Sequence, residues 1–467
     1  MMQTSLPVPD PTLSHWHRTT RSFPHLNANH LTQVPASTRY LIIGSGISGA
    51  LTAWELIDSG IDGNDVLILE AREAVSGATG RNAGHVRPDA FHGFSRFSSI
   101  HGPEQARLII ENEKLVLQSV KDFVESNNID CDFNYTTTLD VCLNQAYANS
   151  IGESFSQFCD AGGDISHINF YQGDEARAKT NLTTAVSAYE WPAASNHPGK
   201  LCQWILNDVI TKGAKLWTHC PATKILRHQG NDMQWDVHTP RGIVVAETVV
   251  HCTNAYAAFL LPDLASILTP RRAQGHSYIP PPSLSGENTL KSTLALRYGP
   301  GHFFSVNQLK DGTVILGGWA TRSDADWTPD FLKDRYTFDD TIHNPRMMES
   351  SIAEFSRLTS APPPQRPGEG FSHVWTGIVG ETPDAVPLIG PIERLAGQWI
   401  CAGFNGHGMA RIFQCAPGLV KLMAGKPWSA TGLPECFHLT QQRLERIDKL
   451  KVKNWNTRSQ IDAGDGT

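Results

Sequence analysis

Gly44, Gly46 and Gly49 stand at G-x-G-x-x-G spacing, and an acidic residue, Glu70, closes the next apolar run. Each residue type has a task. Gly44 permits a tight turn, Gly46 leaves bare backbone for a pyrophosphate, and Gly49 lets a helix pack closely on the strand before it. The helix opened by this turn points its first N–H groups, at Ile47 and Ser48, toward an anion. A carboxylate at Glu70 accepts hydrogen bonds from ribose hydroxyls. Together these residues are suited to a dinucleotide.

Definite elements must position them. Residues 40–43 form an apolar run, as in a strand buried on both faces. Ala50, Ala53, Leu56 and Ile57 follow at helical spacing, and a second apolar strand over 66–69 ends at Glu70, with Ala71 and Arg72 beyond it. The next segment, Ser76-Gly77-Ala78-Thr79-Gly80-Arg81-Asn82-Ala83-Gly84-His85, is almost all small or polar. Such a loop brings backbone N–H groups close to a flat or anionic ligand.

Farther along, the spacing predicts helices over 104–127 and 198–210 and a strand over 132–143. Short strands are expected over 216–225 (which includes Ala222), 235–239, 243–245 and 248–252, the last followed by Thr253-Asn254-Ala255. Residues 277–279, 294–297, 303–306 and 314–318 read as further strands, 331–358 as helical in part, and the proline-rich 361–370 as a linker. A strand over 399–402 leads into Gly403-Phe404-Asn405-Gly406-His407-Gly408-Met409, a second glycine-rich turn opening a helix.

The chain has 467 residues, 18% charged and 40% apolar, as in a globular enzyme. Its net charge of −7, without a long basic run, disfavours nucleic acid as a partner. Nine cysteines without a C-x-x-C pair point to reduced thiols and a cytoplasmic location. No apolar run reaches membrane-spanning length. Nineteen histidines include no H-E-x-x-H pair, so no metal site is expected. Residues 1–36, rich in Pro, Ser, Thr and His, read as an arm lying on the surface.

The blocks Gly44–Gly49 with Glu70, 76–84, 248–255, and 375–384 with 403–409 together resemble the D-amino-acid-oxidase type of FAD-dependent oxidoreductase, with glycine and sarcosine oxidases and D-amino-acid dehydrogenases among its members. Fungal members resemble it further in an arm that here reads LPVPDPT over 6–12. The resemblance implies an α/β chain, α+β overall: a discontinuous Rossmann-like FAD-binding domain (37–99, 198–272 and 372–430) and an antiparallel-sheet substrate domain (100–197 and 273–371), with a tail over 431–467. It implies FAD contacts at the glycine turn, at Glu70 to Arg72, along 76–85, at Ala222, Thr253, Asn254 and Gly377, and along 403–409. It also implies oxidation of a C–N bond in a small amine or amino acid, with hydride passing to flavin N5 and oxygen as one candidate acceptor. The other readings are a dehydrogenase or tailoring oxidoreductase using a different acceptor, and a flavin-binding protein without turnover.

Several positions depart from the family pattern. Residues 371–384 hold no Cys for a covalent flavin link, and Arg81 stands where a dimethylglycine-dehydrogenase branch has a His. Ile315 falls where sarcosine oxidases carry a Lys that promotes reaction with oxygen, and His373 where the family often has Arg. The catalytic candidates are His373, Trp375, Arg272 and Trp319, with Arg271, His276 and Arg411 beside them. His373 is either a weak base by the flavin or a core histidine, and Trp375 either a pocket wall or plain packing. Of Arg271 and Arg272, one pairs the cofactor or a substrate carboxylate, or each forms a surface or interdomain ion pair.

With neither covalent anchor present, the purified protein should be yellow and should release its flavin into the supernatant on acid precipitation. Flavin that stays with the denatured chain would contradict this reading.

Overall fold

The computed structural model describes residues 4–299, 301–318, 322, 328–359 and 366–450. Its strands are β1 (Ser37–Ile43), β2 (Val66–Leu69), β3 (His85–Val86), β4 (Asn134–Cys142), β5 (Asn169–Gln172), β6 (Ser187–Ser195), β7 (Lys215–Trp217), β8 (Lys224–Arg227), β9 (Trp235–Thr239), β10 (Gly242–His251), β11 (Thr269–Ile279), β12 (Thr293–Gly299), β13 (His302–Gln308), β14 (Val314–Gly318), β15 (Gly370–Glu381), β16 (Leu388–Pro391) and β17 (Gln398–Ala402). They form two sheets.

The first sheet has eight strands, in the order β16-β17-β10-β1-β2-β7 with β9 and β8 attached to β10. β17, β10, β1, β2 and β7 are parallel. Parallel neighbours need a crossover, which between β1 and β2 is the helix Ile47–Asp58. Its buried face is Ala50, Leu51, Ala53 and Leu56, and every residue of β2 is buried, as the apolar run requires. The helices Pro198–Thr211 and Ile412–Met423 pack on the same crossover helix. The second sheet has nine strands, in the order β15-β11-β14-β13-β12-β4-β6-β3 with β5 on β6, and is antiparallel except where β12 meets β4. The fold is therefore mixed α/β, a parallel sheet joined to a mainly antiparallel one.

The helices expected over 104–127 and 198–210 are Pro103–Ser126 and Pro198–Thr211. Other expectations are adjusted. The strands expected over 243–245 and 248–252 are one strand, β10, because it pairs with β9 on one side and β1 on the other. The strand expected over 216–225 is broken between β7 and β8, where the Cys220 N–H turns to donate to the Glu70 carbonyl. Residues 269–272 and 372–381, grouped above with the nucleotide-binding part, are strand residues of the second sheet, since the β11–β15 ladder runs unbroken from Thr269↔Glu381 past Arg272↔Ile378. Residues 85–86 also join that sheet, on β6.

The arm lies on the surface for most of its length but is buried around residues 14–17. Trp16 is 1% exposed and packs with Ile315 and Trp375, and Ser14 and His17 are buried too. A large indole outweighs the polar composition around it, since burying it removes a large apolar area from water.

The two inner glycines of the turn do different things. A Cβ at Gly49 would lie 1.9 Å from the Gly44 carbonyl oxygen, inside the fold's own backbone. At Gly46 the nearest neighbour is a single side-chain atom, Thr79 Oγ1 at 3.0 Å, and the remaining space is open. Gly49→Ala should therefore cost about 3 kcal/mol or more of stability in denaturant unfolding, near the upper range for overpacking. Gly46→Val should keep the fold and lose FAD; a Gly46→Val protein with full flavin content would contradict the assignment of the turn.

Candidate cofactor and substrate site

The turn begins where β1 ends. Gly44, at φ +108°, donates its N–H to the Leu69 carbonyl at 2.8 Å, tying the ends of β1 and β2 together. Gly46 is the first-turn cap of the crossover helix and offers no side-chain cap. Only the Ile47 N–H is taken by a side chain, Thr79 Oγ1 at 2.9 Å. A helix N-terminus with open space at Gly46 fits the pyrophosphate of FAD. At the end of β2 the Glu70 carboxylate is fixed by short bonds. Oε2 accepts from the Ser45 N–H (3.0 Å) and hydroxyl (2.8 Å), and Oε1 from the Arg72 N–H (3.0 Å). Oε2 is saturated by these two bonds, and Oε1, with one, keeps a lone pair for a ribose hydroxyl. Ser45 was not singled out from sequence; its signal is a hydroxyl between the first two glycines. Ala222 lies buried two residues beyond Cys220, whose N–H donates to the Glu70 carbonyl.

The loop over 76–85 crosses in front of this cradle. Ala78–Arg81 form one 3₁₀ turn, and Asn82 pins it by donating to the Thr79 carbonyl (2.9 Å) and accepting from the Gly84 N–H (2.7 Å). Asn307 Nδ2 holds the Ala83 carbonyl at 3.1 Å, and the Asn196 N–H holds that of Gly84 at 2.8 Å. Arg81 is turned into protein. Its guanidinium donates to the carbonyls of Ser76, Thr12 and Thr376 and lies 3.6 Å from Asp340, which Arg72 also meets at 3.0 Å. Burial pulls the Arg81 pKa down to about 10, so it stays charged at neutral pH. Around 83–85 several buried polar atoms have no partner: both ring nitrogens of His85, the Asn196 amide and Asn307 Oδ1. Thr253 Oγ1 is in the same condition at the end of β10. Buried polar groups are rarely left so, and a polar cofactor in front of the loop fits them.

The second turn is held from behind. Asn254, at φ +46°, accepts from the N–H groups of Gly403 (3.0 Å) and Phe404 (3.3 Å). Asn405 bonds Thr382 and the Gly403 carbonyl, and Gly403 and Gly406 have φ of +76° and +82°. Ahead of the helix Ile412–Met423, Arg411 is fully buried against Glu113 (Nε–Oε1 2.7 Å). Burial alone would raise the Glu113 carboxyl, but His407 and Arg411 outweigh it and hold it at about 2. Arg411 is therefore a structural cation, and His407 touches the same carboxylate through Nδ1 at 3.4 Å.

Of the catalytic candidates among the described residues, His373 and Trp375 stack with ring centroids 6.1 Å apart, while Arg272 is held by Asp334. Trp319 lies outside the described residues. Arg272 pairs with Asp334 and donates to the Asp339 carbonyl, and Arg271 pairs with Glu381. His276 is buried beside Gln274, and burial holds it neutral, with a pKa of about 3. The His373 ring bonds the Leu13 carbonyl of the arm, and burial lowers its pKa. Trp375, fully buried, donates to the Arg81 carbonyl at 2.8 Å, and Gly377 packs on the Arg81 side chain. Both ends of the W-x-G block thus face the arm and the loop's protein side.

Another cluster also converges. Arg87 follows two residues after His85, so the two side chains share a face of the extended chain leaving the loop. Its guanidinium meets Asp140 Oδ2 of β4 at 3.1 Å, while Arg297 of β12 meets Oδ1 at 2.7 Å. Arg87 lies over Trp191 and Arg297 over Phe303. Burial opposes ionisation of Asp140, yet Arg297 and Arg87 prevail and hold it at about 2. His92, bonded to the Tyr147 hydroxyl, and His85 are each held neutral, near 3, chiefly by burial. Arg87, Asp140 and Arg297 were not among the sequence candidates; the one available signal was an arginine just past the small-residue loop. A cleft of about 450 Å³ lined by Tyr40, Thr248, Trp399 and Met423 lies at the other end of the parallel strands, away from this chemistry.

Glu70 makes the sharpest point of this geometry. Charged hydrogen bonds contribute about 1.5–3 kcal/mol each. Glu70→Gln should therefore weaken FAD binding roughly tenfold or more, read by titrating apoprotein with FAD. Unchanged affinity would assign the ribose to another residue.

Comparison with known proteins agrees with the geometry. The family model for FAD dependent oxidoreductases of the DAO type matches residues 39–424. The bifunctional tRNA 5-methylaminomethyl-2-thiouridine biosynthesis protein MnmC of Polaromonas naphthalenivorans is 23% identical over 84% of this chain, which spans 58% of its length. The glycine oxidase structure from Geobacillus kaustophilus superposes with a TM-score of 0.68 at 18% identity, covering 87% of this chain and 99% of that one. The L-proline dehydrogenase structure from P. horikoshii gives 0.64 at 21% identity, covering 87% and 97%. Among the described residues no helix is long and apolar enough to cross a membrane. With a family model covering both the cradle and the second glycine turn, the chain belongs to the DAO family of FAD-dependent oxidoreductases.

Proposed function

We propose that this enzyme oxidises the C–N bond of a small amine that carries a carboxylate, an amino acid or an N-substituted relative of one. The observation that carries the reading is the cluster at Arg87, Asp140 and Arg297: two guanidinium groups pair directly with one carboxylate in a largely buried place, and the next acid within electrostatic reach of both, Asp89, has its carboxyl pushed up by burial and by Glu113. A buried charge needs a partner, and a substrate carboxylate supplies one with bidentate geometry. Two structures of similar fold bear names that state amino-acid substrates, glycine and L-proline, which supports the class.

FAD supplies the two-electron chemistry when bound. The chain's own residues bind and orient. Arg87 fixes the carboxylate end, and Asp140 holds Arg87 and Arg297 in place. Trp191 and Phe303 cover the two guanidinium groups and keep water from them. His85, neutral through burial, offers a ring nitrogen to a substrate N–H without adding charge. The amine is then held as the free base, the imine product hydrolyses in water, and FAD stays noncovalent because residues 371–384 hold no Cys and Arg81 stands where a His would be needed. The nine cysteines stand as free thiols, which supports a reducing compartment such as the cytoplasm.

A second reading concerns the acceptor. Ile315, where sarcosine oxidases carry a Lys, is fully buried between Trp16 and Trp375. This favours an electron carrier over oxygen. Stopped-flow mixing of reduced enzyme with oxygen should give slow reoxidation; fast reoxidation would make the enzyme an oxidase.

The substrate class is tested by anaerobic mixing with amino acids, N-methylated amino acids and their decarboxylated amines, reading loss of the flavin's visible absorbance. Carboxylate-bearing amines should bleach the flavin and the decarboxylated series should not. Arg87→Leu should keep FAD and raise the half-saturating substrate concentration roughly 10- to 100-fold, the loss of a charged hydrogen bond. Equal reduction by decarboxylated amines, or an unaffected Arg87→Leu, would overturn the proposal.

A further inference from the structure

The FAD-facing loop has a protein side, and the N-terminal arm occupies it. Ser14 Oγ donates to the Gly80 carbonyl, Trp16 Nε1 to that of Asn82 at 2.7 Å, and His17 Nε2 meets that of Val75 at 3.2 Å. In return the Thr12 carbonyl accepts from Arg81. The fit is close. A Cβ at Gly80 would lie 2.4 Å from His17 Nε2, and one at Gly84 would lie 3.0 Å from the Trp16 ring. The opposite side of the same turn carries Thr79, whose hydroxyl takes the Ile47 N–H beside Gly46. The loop is thus a thin layer between the arm and the pyrophosphate cradle.

The arm is in turn anchored to parts of the protein that are not the loop. The Thr12 N–H donates to the Asp340 carbonyl at 2.8 Å, and the Thr376 N–H donates to Thr12 Oγ1 at 2.9 Å. Thr19 Oγ1 meets His197 at 2.9 Å, and the Ala74 N–H donates to the Leu26 carbonyl at 3.0 Å. Trp16 fills the space over Ile315 and Trp375. The carbonyls of Val75, Gly80 and Asn82 therefore have these partners only while residues 12–17 are seated, whereas Arg81 would lose the Thr12 carbonyl and keep Ser76, Thr376 and Asp340. Unseating the arm would strand those carbonyls in a buried place, and the loop would have to open to reach water.

We propose that the arm is a strap that holds the loop closed on FAD, with Ser14, Trp16 and His17 as positioning residues that set how fast the cofactor leaves. They act through loop carbonyls 75, 80 and 82. The proposal rests on the chain's binding FAD, not on the amine-oxidation reading.

The test uses the full-length holoenzyme without substrate. FAD release is followed by recovery of flavin fluorescence after dilution, in wild type, Trp16→Ala, Trp16→Phe, and Ser14→Ala with His17→Phe. Far-UV circular dichroism and thermal unfolding of each are measured beside it. A comparison variant, Phe158→Ala, loses buried volume against Phe94, away from the loop. The strap predicts release about tenfold faster or more in Trp16→Ala, the cost of a lost buried hydrogen bond with its packing, and intermediate rates in the other two. It also predicts that Phe158→Ala, however destabilised, releases FAD at the wild-type rate. If Trp16→Ala does not fold, the milder variants decide by the same ordering. Wild-type release rates in the arm variants, or rates that follow melting temperature equally in Phe158→Ala, would overturn the proposal.

Discussion

A buried loop must find a partner for every backbone polar group it carries, because water is not there to supply one. The segment over 76–85 is such a loop, and much of the molecule is arranged around its demands. Arg81 takes the Ser76 carbonyl, Ser14 that of Gly80, Trp375 meets Arg81, Trp16 meets Asn82, and Asn307 and Asn196 hold Ala83 and Gly84. The groups left without partners, at His85, Asn196 and Asn307, gather at the loop's far end. On the protein side, among the described residues, only single guanidinium nitrogens of Arg72 and Arg81 are also unmet, so the larger group of unmet polar atoms at the far end fits a cofactor there.

Buried charge follows the same logic. Asp340 lies between Arg72 and Arg81 and ties both ends of the loop to the segment before the helix Pro345–Leu358. Glu113 neutralises Arg411 in front of the last helix of the cofactor fold. In the pair Glu113–Arg411 the charges balance, and removing one partner of such a pair costs about 3–5 kcal/mol. At Asp140 they do not balance, because Arg87 and Arg297 both meet it. The next acid within reach of both arginines, Asp89, has its carboxyl pushed up by burial and by Glu113, which supports the proposed place for an anionic substrate.

The cofactor fold was legible in the sequence because its signals are local. The glycine spacing, the apolar runs at 40–43 and 66–69 and the helix at 104–127 are properties of neighbouring residues, and periodicity reports them. What was not legible depends on pairing across the chain. Trp375 and His373 sit in a motif block, but their partners are Arg81 and Leu13, 294 and 360 residues away. Arg297 and Asp140 meet because β12 lies beside β4, a pairing no local pattern announces. The buried part of the arm was missed for the opposite reason. Its composition is polar and proline-rich, and a single tryptophan decides where it goes.

The central claim is that a carboxylate site stands beside the bound flavin. The most direct measurement is a difference-absorbance titration of the oxidised holoenzyme with simple monocarboxylates that cannot be oxidised, with uncharged amides of the same shape in parallel. The account predicts a saturable perturbation of the flavin's visible bands by the carboxylates, absent with the amides and lost when Arg87 is replaced by Leu. A flat spectrum with every carboxylate, or an equal response to the amides, would contradict it.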